Sequence, residues 1–372
     1  MTADTLIGFA FWISAFMFNT LRPIVPAPFL PLMGAPAETA TAYLIAGTMV
    51  FLTALINAIM LIWWERKLLG RFMDRRGAMH VGYAGLLQNL ADGLKLFRKQ
   101  PLRPREADKL GYFLAPAAYL ATSLMIVGFL PVSTGWVPGV APLSLLMALA
   151  LFSFAPFFIF IGAWASNNKY SLIGGMRTAA QLVAYEVPLL FAVVSVVLLA
   201  GTFDLTGIVD AQIRFGWFAL PLALGLIVFF VAMLAEVERI PFDLPEAEAE
   251  LVEGWNTEYG GMLFAMTTLA DYVRGLIGSY LIVLLFLGGW WVPAGPFTGA
   301  LNGFPLAGIF WFQLKVYVVF AVFVWVRAGL PRVRTDQLLQ IGWKRMIPIS
   351  LANVFLAAAF VVVGWPPFPK LF

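Results

Sequence analysis

The stretch "QLVAYEVPLLFAVVSVVLLAG", residues 181–201, decides the class of fold. Its 21 residues carry a single charged side chain, Glu186. A helix needs about 20 predominantly apolar residues to cross the hydrocarbon core of a bilayer. This stretch therefore predicts a transmembrane helix.

Similar apolar runs recur along the 372-residue chain, which is 61% hydrophobic and only 12% charged, with a mean hydropathy of +0.87. Soluble domains carry about 25% charged residues. Eight core spans are predicted, at residues 41–64, 110–132, 141–165, 181–201, 216–236, 275–292, 308–326 and 346–364. The expected fold is an all-α polytopic membrane protein with a single membrane domain over residues 1–372. A ninth apolar run, residues 5–21, either spans the membrane or lies at its interface.

The residue inventory excludes several kinds of site. The chain has no cysteine, which rules out Fe–S clusters and thiolate zinc sites. Its one histidine, His80, argues against haem, and no glycine-rich phosphate motif is present. We therefore expect no metal and no redox cofactor on this chain. The net charge of +4 is better explained by membrane topology than by nucleic-acid binding.

The basic residues set the expected orientation. Of 24 lysines and arginines, 20 lie in or beside alternate loops, at residues 65–109, 166–180, 236–272 and 327–345. Cytoplasmic loops of membrane proteins are enriched in Lys and Arg, whereas Asp and Glu hardly affect orientation. These loops are therefore predicted to be cytoplasmic.

The first of these loops, residues 65–109, contains an amphipathic pattern. Apolar side chains recur with helical spacing at Leu86, Leu87, Leu90, Leu94 and Phe97. Asp92, Lys95 and Lys99 occupy other faces, which suits a helix that lies in the membrane interface. Such a helix is either purely structural or the wall of a cavity that admits a lipid-like substrate.

The loop at residues 236–272 concentrates negative charge. It holds nine of the 20 acidic residues, Glu236, Glu238, Asp243, Glu246, Glu248, Glu250, Glu253, Glu258 and Asp271. They alternate with side chains that favour burial, Phe242, Leu244, Leu251, Trp255 and Tyr259. The residues alone leave two interpretations open, a solvated acidic loop and a buried cluster that exchanges protons.

Two ionisable residues fall inside predicted spans. Glu186 lies about 7 Å deep at a rise of roughly 1.5 Å per residue. Intramembrane charges are costly and are functional hypotheses by default, although a structural carboxyl is the simpler alternative. Lys315 is the matching cation, and we expect it to face the bundle interior, with a partner that the sequence does not reveal.

Several motifs, taken together and in order, resemble a known family. They are "ERKLLGR", "LQNLADGLKL", "WASNNKYSLIGGMRTAAQLVAYEVPL", "ERIPFDLPEAEAELVEGWNTEYGGM", "LFLGGW" and "FVWVRAGLPRVRTDQLLQIGWK". This set resembles the H subunit of the proton-pumping NADH:quinone oxidoreductase, respiratory complex I. The resemblance covers about residues 60–350, and residues 1–40 match nothing that can be assigned. One departure is "ADY" in place of the usual "AEY", so that Asp271 keeps the carboxyl on a shorter side chain.

The resemblance implies eight core transmembrane helices, an amphipathic helix in the first loop, and a chamber that binds quinone as substrate. The implied quinone-binding residues are Arg66, Arg71, Asp92 and Lys95. The implied proton path comprises Glu186, Glu236, Glu246, Glu248, Glu250, Glu258, Asp271 and Lys315. FMN and Fe–S clusters would belong to partner subunits in a bacterial plasma membrane, with an organelle inner membrane as the less favoured location.

Three other functions share some of these features. The membrane subunit of an energy-converting hydrogenase would share this topology but is expected to have a shorter acidic motif. A secondary transporter or ion channel could use Glu186 and Lys315 directly. A purely structural anchor for a soluble enzyme would tolerate loss of the acidic charges. The electron donor, the quinone type and the proton stoichiometry are not readable from the sequence.

Overall fold

A computed structural model describes residues 35–133, 142–244, 248–292 and 307–364 of the chain, without the side chains of residues 35–40, 42, 43, 46, 248 and 249. Within these ranges the regular structure is helical and contains no β-strand. The predicted all-α class is thereby confirmed. The apolar run at residues 5–21 lies outside the described residues.

The helices are α1 (Ala35–Phe72), α2 (Gln88–Arg98), α3 (Lys109–Val127), α4 (Ser144–Phe152), α5 (Ala155–Ala165), α6 (Lys169–Ala200), α7 (Leu205–Phe215), α8 (Ala223–Glu236), α9 (Glu248–Leu251), α10 (Met262–Phe286), α11 (Ala307–Gly329), α12 (Thr335–Gln340) and α13 (Ile347–Val363). Short 3₁₀ turns cover Tyr83–Gly85 and Gly254–Asn256, and a π-helical turn, Ile341–Met346, joins α12 to α13.

Seven helices in the described part of the chain are long and apolar enough to cross a membrane, with α4 and α5 counted as one and α12 and α13 as one. The predicted span at residues 216–236 corresponds to α8, an apolar helix of 14 residues. The chain is therefore polytopic. The predicted number of eight spans depends on counting α8.

Helix α6 begins much earlier than its predicted span. Hydropathy marked residues 181–201, but the helix starts at Lys169, so most of the predicted loop at 166–180 is helical. The Asn168 side chain accepts a hydrogen bond from the Tyr170 amide at 2.9 Å and caps the first turn. The helix ends at Gly201, whose φ of 71° is left-handed. Hydropathy locates the apolar part of a helix, whereas its caps locate the ends.

Helix α10 forms the centre of the bundle. It packs against α1, α3 and α11, and it is the most buried of the seven spans. Helix α6 packs on the other side of the core against α5, α8 and α13. A polar side chain on α10 is consequently surrounded by protein on several sides, which places Asp271 and Arg274 in a low-dielectric environment.

The acidic loop packs tightly onto α6. A Cβ atom at Gly174 would lie 2.8 Å from both Cα of Gly254 and the amide nitrogen of Trp255, so only glycine permits this approach. Trp255 is buried beside Tyr259, whose ring stacks on that of Tyr112 at 4.7 Å. All five apolar residues predicted to favour burial in this loop are buried.

Candidate functional site

The acidic loop meets the ends of several helices at one end of the bundle, where α1, α8 and α11 end and α10 begins. We call this the acidic-loop end. Its carboxylates differ in exposure: Glu236 and Asp243 are buried, while the Glu250 side chain is 60% exposed and bonds Arg177 at 2.7 Å. Glu258 accepts a hydrogen bond of 2.6 Å from the Asn168 side chain. Burial of the cluster is thus confirmed for part of the loop and wrong for Glu250.

Glu65, near the end of α1, lies at the centre of a buried ion cluster. Its side chain is only 3% exposed and its Oε1 accepts from Arg239 at 3.0 Å and also from Arg327. The two arginines come from the segment after α8 and from the end of α11. One carboxylate therefore joins three parts of the bundle. Its second oxygen, Oε2, is buried without a hydrogen-bond partner among the described residues.

Arg239 connects this cluster to α10. Its guanidinium lies 4.3 Å from the centre of the Tyr272 ring, a cation–π geometry. Burial opposes the charge, but the nearby Glu65 carboxylate and Tyr272 outweigh that effect and raise the pKa of Arg239. Arg239 is a permanent buried cation beside Asp271, which directly precedes Tyr272 on α10.

Asp243 is the acidic-loop carboxylate that pairs with the segment after α11. Its Oδ2 accepts from Arg332 at 3.0 Å, while Oδ1 is buried and lacks a partner in the described structure. Burial raises the pKa of the Asp243 carboxyl, and the positive charges of Arg332, Arg327 and Arg239 counter this only in part.

A polar cavity of about 190 Å³ lies between these groups. Its lining includes Arg239, Asp243, Asp271, Tyr272 and Arg327. A water molecule occupies roughly 30 Å³ of liquid, so the cavity has room for about six waters. The unpartnered Asp243 oxygen and the Arg239 Nη2, which also lacks a partner among the described residues, belong to this wall.

Asp271 and Glu236 lie on opposite sides of Arg274. The Tyr119 hydroxyl donates to Asp271 Oδ1 at 2.6 Å. Arg274, one turn further along α10, pairs with Glu236 Oε2 at 3.3 Å and also donates to the Glu236 backbone carbonyl at 3.1 Å. Its guanidinium lies 3.9 Å from the ring centre of Phe152 and 5.7 Å from that of Tyr119.

Glu186 follows at the break between α4 and α5. The Ser153 hydroxyl donates to Glu186 Oε1 directly after Phe152, whose carbonyl accepts from Arg274 at 3.3 Å. Glu65, Asp271, Glu236 and Glu186 are thus linked through arginine, tyrosine and serine contacts. We call these four acids the carboxylate row.

The first-loop residues form a separate, exposed cluster. Asp92 on α2 bonds Arg66 at 2.7 Å and lies 3.9 Å from the Lys95 ammonium. Burial acts to raise the Asp92 pKa, but hydrogen bonds from Arg66 and Gln88 and the charge of Lys95 hold it below its usual value. Arg71 is exposed and no ion pair joins it to this cluster within the described ranges. We call Arg66, Asp92 and Lys95 the first-loop cluster.

Helix α2 carries the apolar stripe expected from the sequence, although it begins at Gln88 rather than at Tyr83. Leu90, Leu94 and Phe97 are 59%, 59% and 68% exposed. The Asn89 side chain donates to the Ile59 carbonyl at 2.8 Å and fixes α2 against α1. The stripe is therefore an outward-facing apolar surface beside the first-loop cluster.

Lys315 lies far from the acidic-loop end. Its ammonium donates to the carbonyls of Leu287, Gly289 and Trp291 at 2.7, 2.9 and 2.5 Å. These carbonyls follow the last turn of α10, about 24 Å along the helix from Asp271 at roughly 1.5 Å per residue. Lys315 serves there as a cap for the C-terminal end of α10.

Two predicted site residues cannot be located in the same detail. Glu246 lies outside the described residues, and Glu248 is described only as the first backbone position of α9. Within the part of the chain that is described, no group of three or more His, Asp or Glu side chains is arranged to hold a metal ion.

The similarity to known proteins covers most of the chain. The family model described as NADH dehydrogenase matches residues 45–358. The chain belongs to the NADH dehydrogenase family. The resemblance inferred from the motifs is thereby confirmed.

Curated relatives of the NADH dehydrogenase family agree, and each of the following is the H subunit of an NADH-quinone oxidoreductase. The protein from Paramagnetospirillum magneticum is 41% identical over 86% of this chain and 92% of its own length. The protein from Rhodospirillum rubrum is 42% identical over 80% of this chain and 87% of its own. The protein from Brevibacillus brevis is 41% identical over 89% and 96%.

Several residues of the site were not singled out from the sequence. They are Glu65, Tyr119, Ser153, Arg239, Asp243, Tyr272, Arg274, Arg327 and Arg332. A signal existed for Arg274, because it lies three residues after Asp271 and such residues are neighbours on a helix surface. None existed for the Glu65 pairings, since Arg239 and Arg327 lie 174 and 262 residues away.

Proposed function

We propose that this chain acts as the membrane-embedded H subunit of an NADH-quinone oxidoreductase, forms much of its quinone chamber, and couples quinone reduction to proton translocation through the carboxylate row. Family membership supports the first part. The observation that carries the last part is the row itself, in which four acids are linked by arginine, tyrosine and serine side chains inside a membrane bundle.

The chemistry of quinone reduction explains why such a row would be useful. Reduction of one quinone to the quinol consumes two electrons and two protons. The electrons would come from an Fe–S cluster of a partner subunit, because this chain contains no cysteine to hold one. The protons change the local charge, and closely spaced buried carboxyls respond together by binding or releasing protons. A charge change at the quinone would therefore be transmitted along the row.

The polar cavity supports the input end of this relay. It borders Asp271 and Asp243 and has room for several waters, which can transfer protons between groups that do not touch. The Tyr119 hydroxyl extends the contact chain from Asp271 toward Arg274 and Glu236. Glu246, Glu248, Glu250 and Glu258 would supply protons from the acidic loop. Lys315, at the far end of α10, would act on the path only through the position of that helix.

The first-loop cluster and α2 would form the quinone-binding part. A quinone has a long apolar tail and a polar head, and α2 offers an apolar stripe beside charged groups. We propose that α2 lies in the membrane interface, that Arg66, Asp92 and Lys95 contact the head group, and that Arg71 borders this region.

The assembly follows from the same proposal. The basic loops and the acidic-loop end would face the cytoplasm of a bacterium, and α8 would complete eight core spans in the plasma membrane. Peripheral subunits would contribute FMN and Fe–S clusters, and other membrane subunits would pack beside this chain. The curated relatives favour the oxidoreductase over the hydrogenase, transporter and anchor alternatives.

The test is a mild detergent extraction of the tagged chain from its native membrane, followed by identification of the co-purifying subunits and assay of quinone reduction. A large assembly that contains flavin and Fe–S proteins and reduces quinone is expected. Nickel-containing partners that evolve hydrogen would instead identify an energy-converting hydrogenase. A folded chain without redox partners would contradict the proposal.

A further inference from the structure

Arg274 occupies an unusual position, because a guanidinium is seldom fully buried in a membrane bundle. The residue is 2% exposed and lies on α10, the most buried span. Burying one charge is strongly unfavourable unless it is paired and hydrogen-bonded. Arg274 has one ion pair, with Glu236, and two backbone carbonyl acceptors, on Glu236 and Phe152.

The surroundings of Arg274 are mainly acidic. Glu236 on α8 and Asp271 on α10 both feel its charge, and Glu186 on α6 acts on Glu236. Tyr119 on α3 contacts Arg274 through its ring and Asp271 through its hydroxyl. Arg239 is the other cation that acts on Asp271. Arg274 is therefore the cation positioned between the central members of the carboxylate row.

The geometry of the guanidinium is also fixed. The rings of Phe152 and Tyr119 contact it, and its fork donates to acceptors on two different segments, at the end of α8 and at the end of α4. A planar guanidinium matches this arrangement, whereas a lysine ammonium offers only a point charge. Arg274 thus fixes both the charge and the spacing of its neighbours.

We propose that Arg274 is a positioning residue of the relay, which holds Glu236 and Asp271 at fixed separation and sets the pH range over which they exchange protons. This inference rests on the proposed function, since it assigns a role to Arg274 within the carboxylate row. Removing a neighbouring positive charge favours the protonated form of a carboxyl. Loss of Arg274 should therefore displace proton translocation toward higher pH.

The experiment uses the whole complex reconstituted into vesicles and follows quinone-driven proton translocation as a function of pH. Arg274→Met is expected to displace the profile upward by about one pH unit or more. Arg274→Lys, which retains the charge, should stay close to the parent profile. Arg334→Met is the matched control, because Arg334 is 81% exposed and pairs locally with Asp336. An Arg274→Met complex with the parent profile would overturn the inference.

Arg274→Met could prevent assembly, since it leaves Glu236 buried without its cation. The double variant Arg274→Met with Glu236→Gln removes both charges of the pair. Recovery of assembled complex in the double variant is expected if charge pairing is what Arg274 provides. Assembly that remains as poor as in the single variant would show that Arg274 acts by packing alone, and would overturn the inference.

Two single variants separate this inference from the proposed function. Glu236→Gln and Asp271→Asn should both lose proton translocation if the row is the relay. If they lose it while Arg274→Met keeps the parent profile, only the inference about Arg274 fails. If both translocate protons normally, the proposed relay fails and the role of Arg274 in it fails with it.

Discussion

The molecule contains two clusters in which one carboxylate meets two cations, and they differ chiefly in burial. Glu65 is 3% exposed between Arg239 and Arg327, while Asp92 is 29% exposed beside Arg66 and Lys95. Exposed ion pairs contribute about 0–1 kcal/mol, because water screens them. Removing one member of a buried pair costs about 3–5 kcal/mol, because the remaining charge is left without solvation.

The comparison suggests different uses for similar chemistry. The Glu65 cluster connects α1, the segment after α8, and α11, so its charges hold the acidic-loop end together. The first-loop cluster can rearrange at little energetic cost, which suits a surface that admits and releases a ligand. Burial therefore distinguishes a structural or relay site from an exchange site more clearly than residue type does.

The largest effect is expected for Glu65→Gln. The substitution leaves Arg239 and Arg327 facing one another without a negative charge, and it should destabilise the bundle by about 3–5 kcal/mol. The thermal unfolding midpoint of the detergent-solubilised complex and the amount assembled in membranes would measure this. Glu106→Gln at an exposed position is the matched control. An unchanged midpoint for Glu65→Gln would break the comparison.

A smaller, pH-dependent effect is expected at Asp243. Its pKa is raised in the folded protein, so the folded state loses stability as pH rises from about 4 through the raised value. Asp243→Asn removes this loss, and its stability should improve relative to the parent as pH increases across that window. Asp92, with a lowered pKa, stays ionised above about pH 5, so Asp92→Asn should show no such trend there. Unfolding midpoints of the complex at several pH values test both statements.

The smallest change in stability is expected for Asp92→Asn at neutral pH, at most about 1 kcal/mol. Because the first-loop cluster is proposed to contact the quinone, the apparent KM for quinone should rise although the complex assembles normally. Steady-state quinone reduction measures this change. A fall in assembled complex comparable to that of Glu65→Gln would mean that the exposed cluster is structural as well.

The sequence predicted the fold class and the order of the spans because the bilayer requires long apolar helices, which hydropathy detects directly. It did not predict where α6 begins, since the residues 169–180 are helical for reasons of capping and packing. It treated residues 166–180 as a loop, and the Asn168 cap corrects this. Hydropathy therefore located the spans but not their full lengths.

The site was predicted less completely, and the reason is the kind of partner involved. Lys315 bonds three backbone carbonyls, and every residue carries one, so no side-chain pattern could identify them. Glu65 pairs with arginines that are distant along the chain, and a single sequence does not reveal such contacts. Arg274 was counted only toward topology, although its spacing from Asp271 already placed the two on one helix face.

The central claim is that the buried carboxylates couple quinone reduction to proton movement. The most direct measurement is the number of protons translocated per quinone reduced, in vesicles containing complexes with Asp271→Asn or with the exposed control Asp336→Asn. The asparagine can still accept the Tyr119 hydrogen bond but cannot exchange a proton. The account predicts normal assembly with a several-fold loss of translocation for Asp271→Asn and the parent ratio for Asp336→Asn. An Asp271→Asn complex with the parent ratio would contradict it.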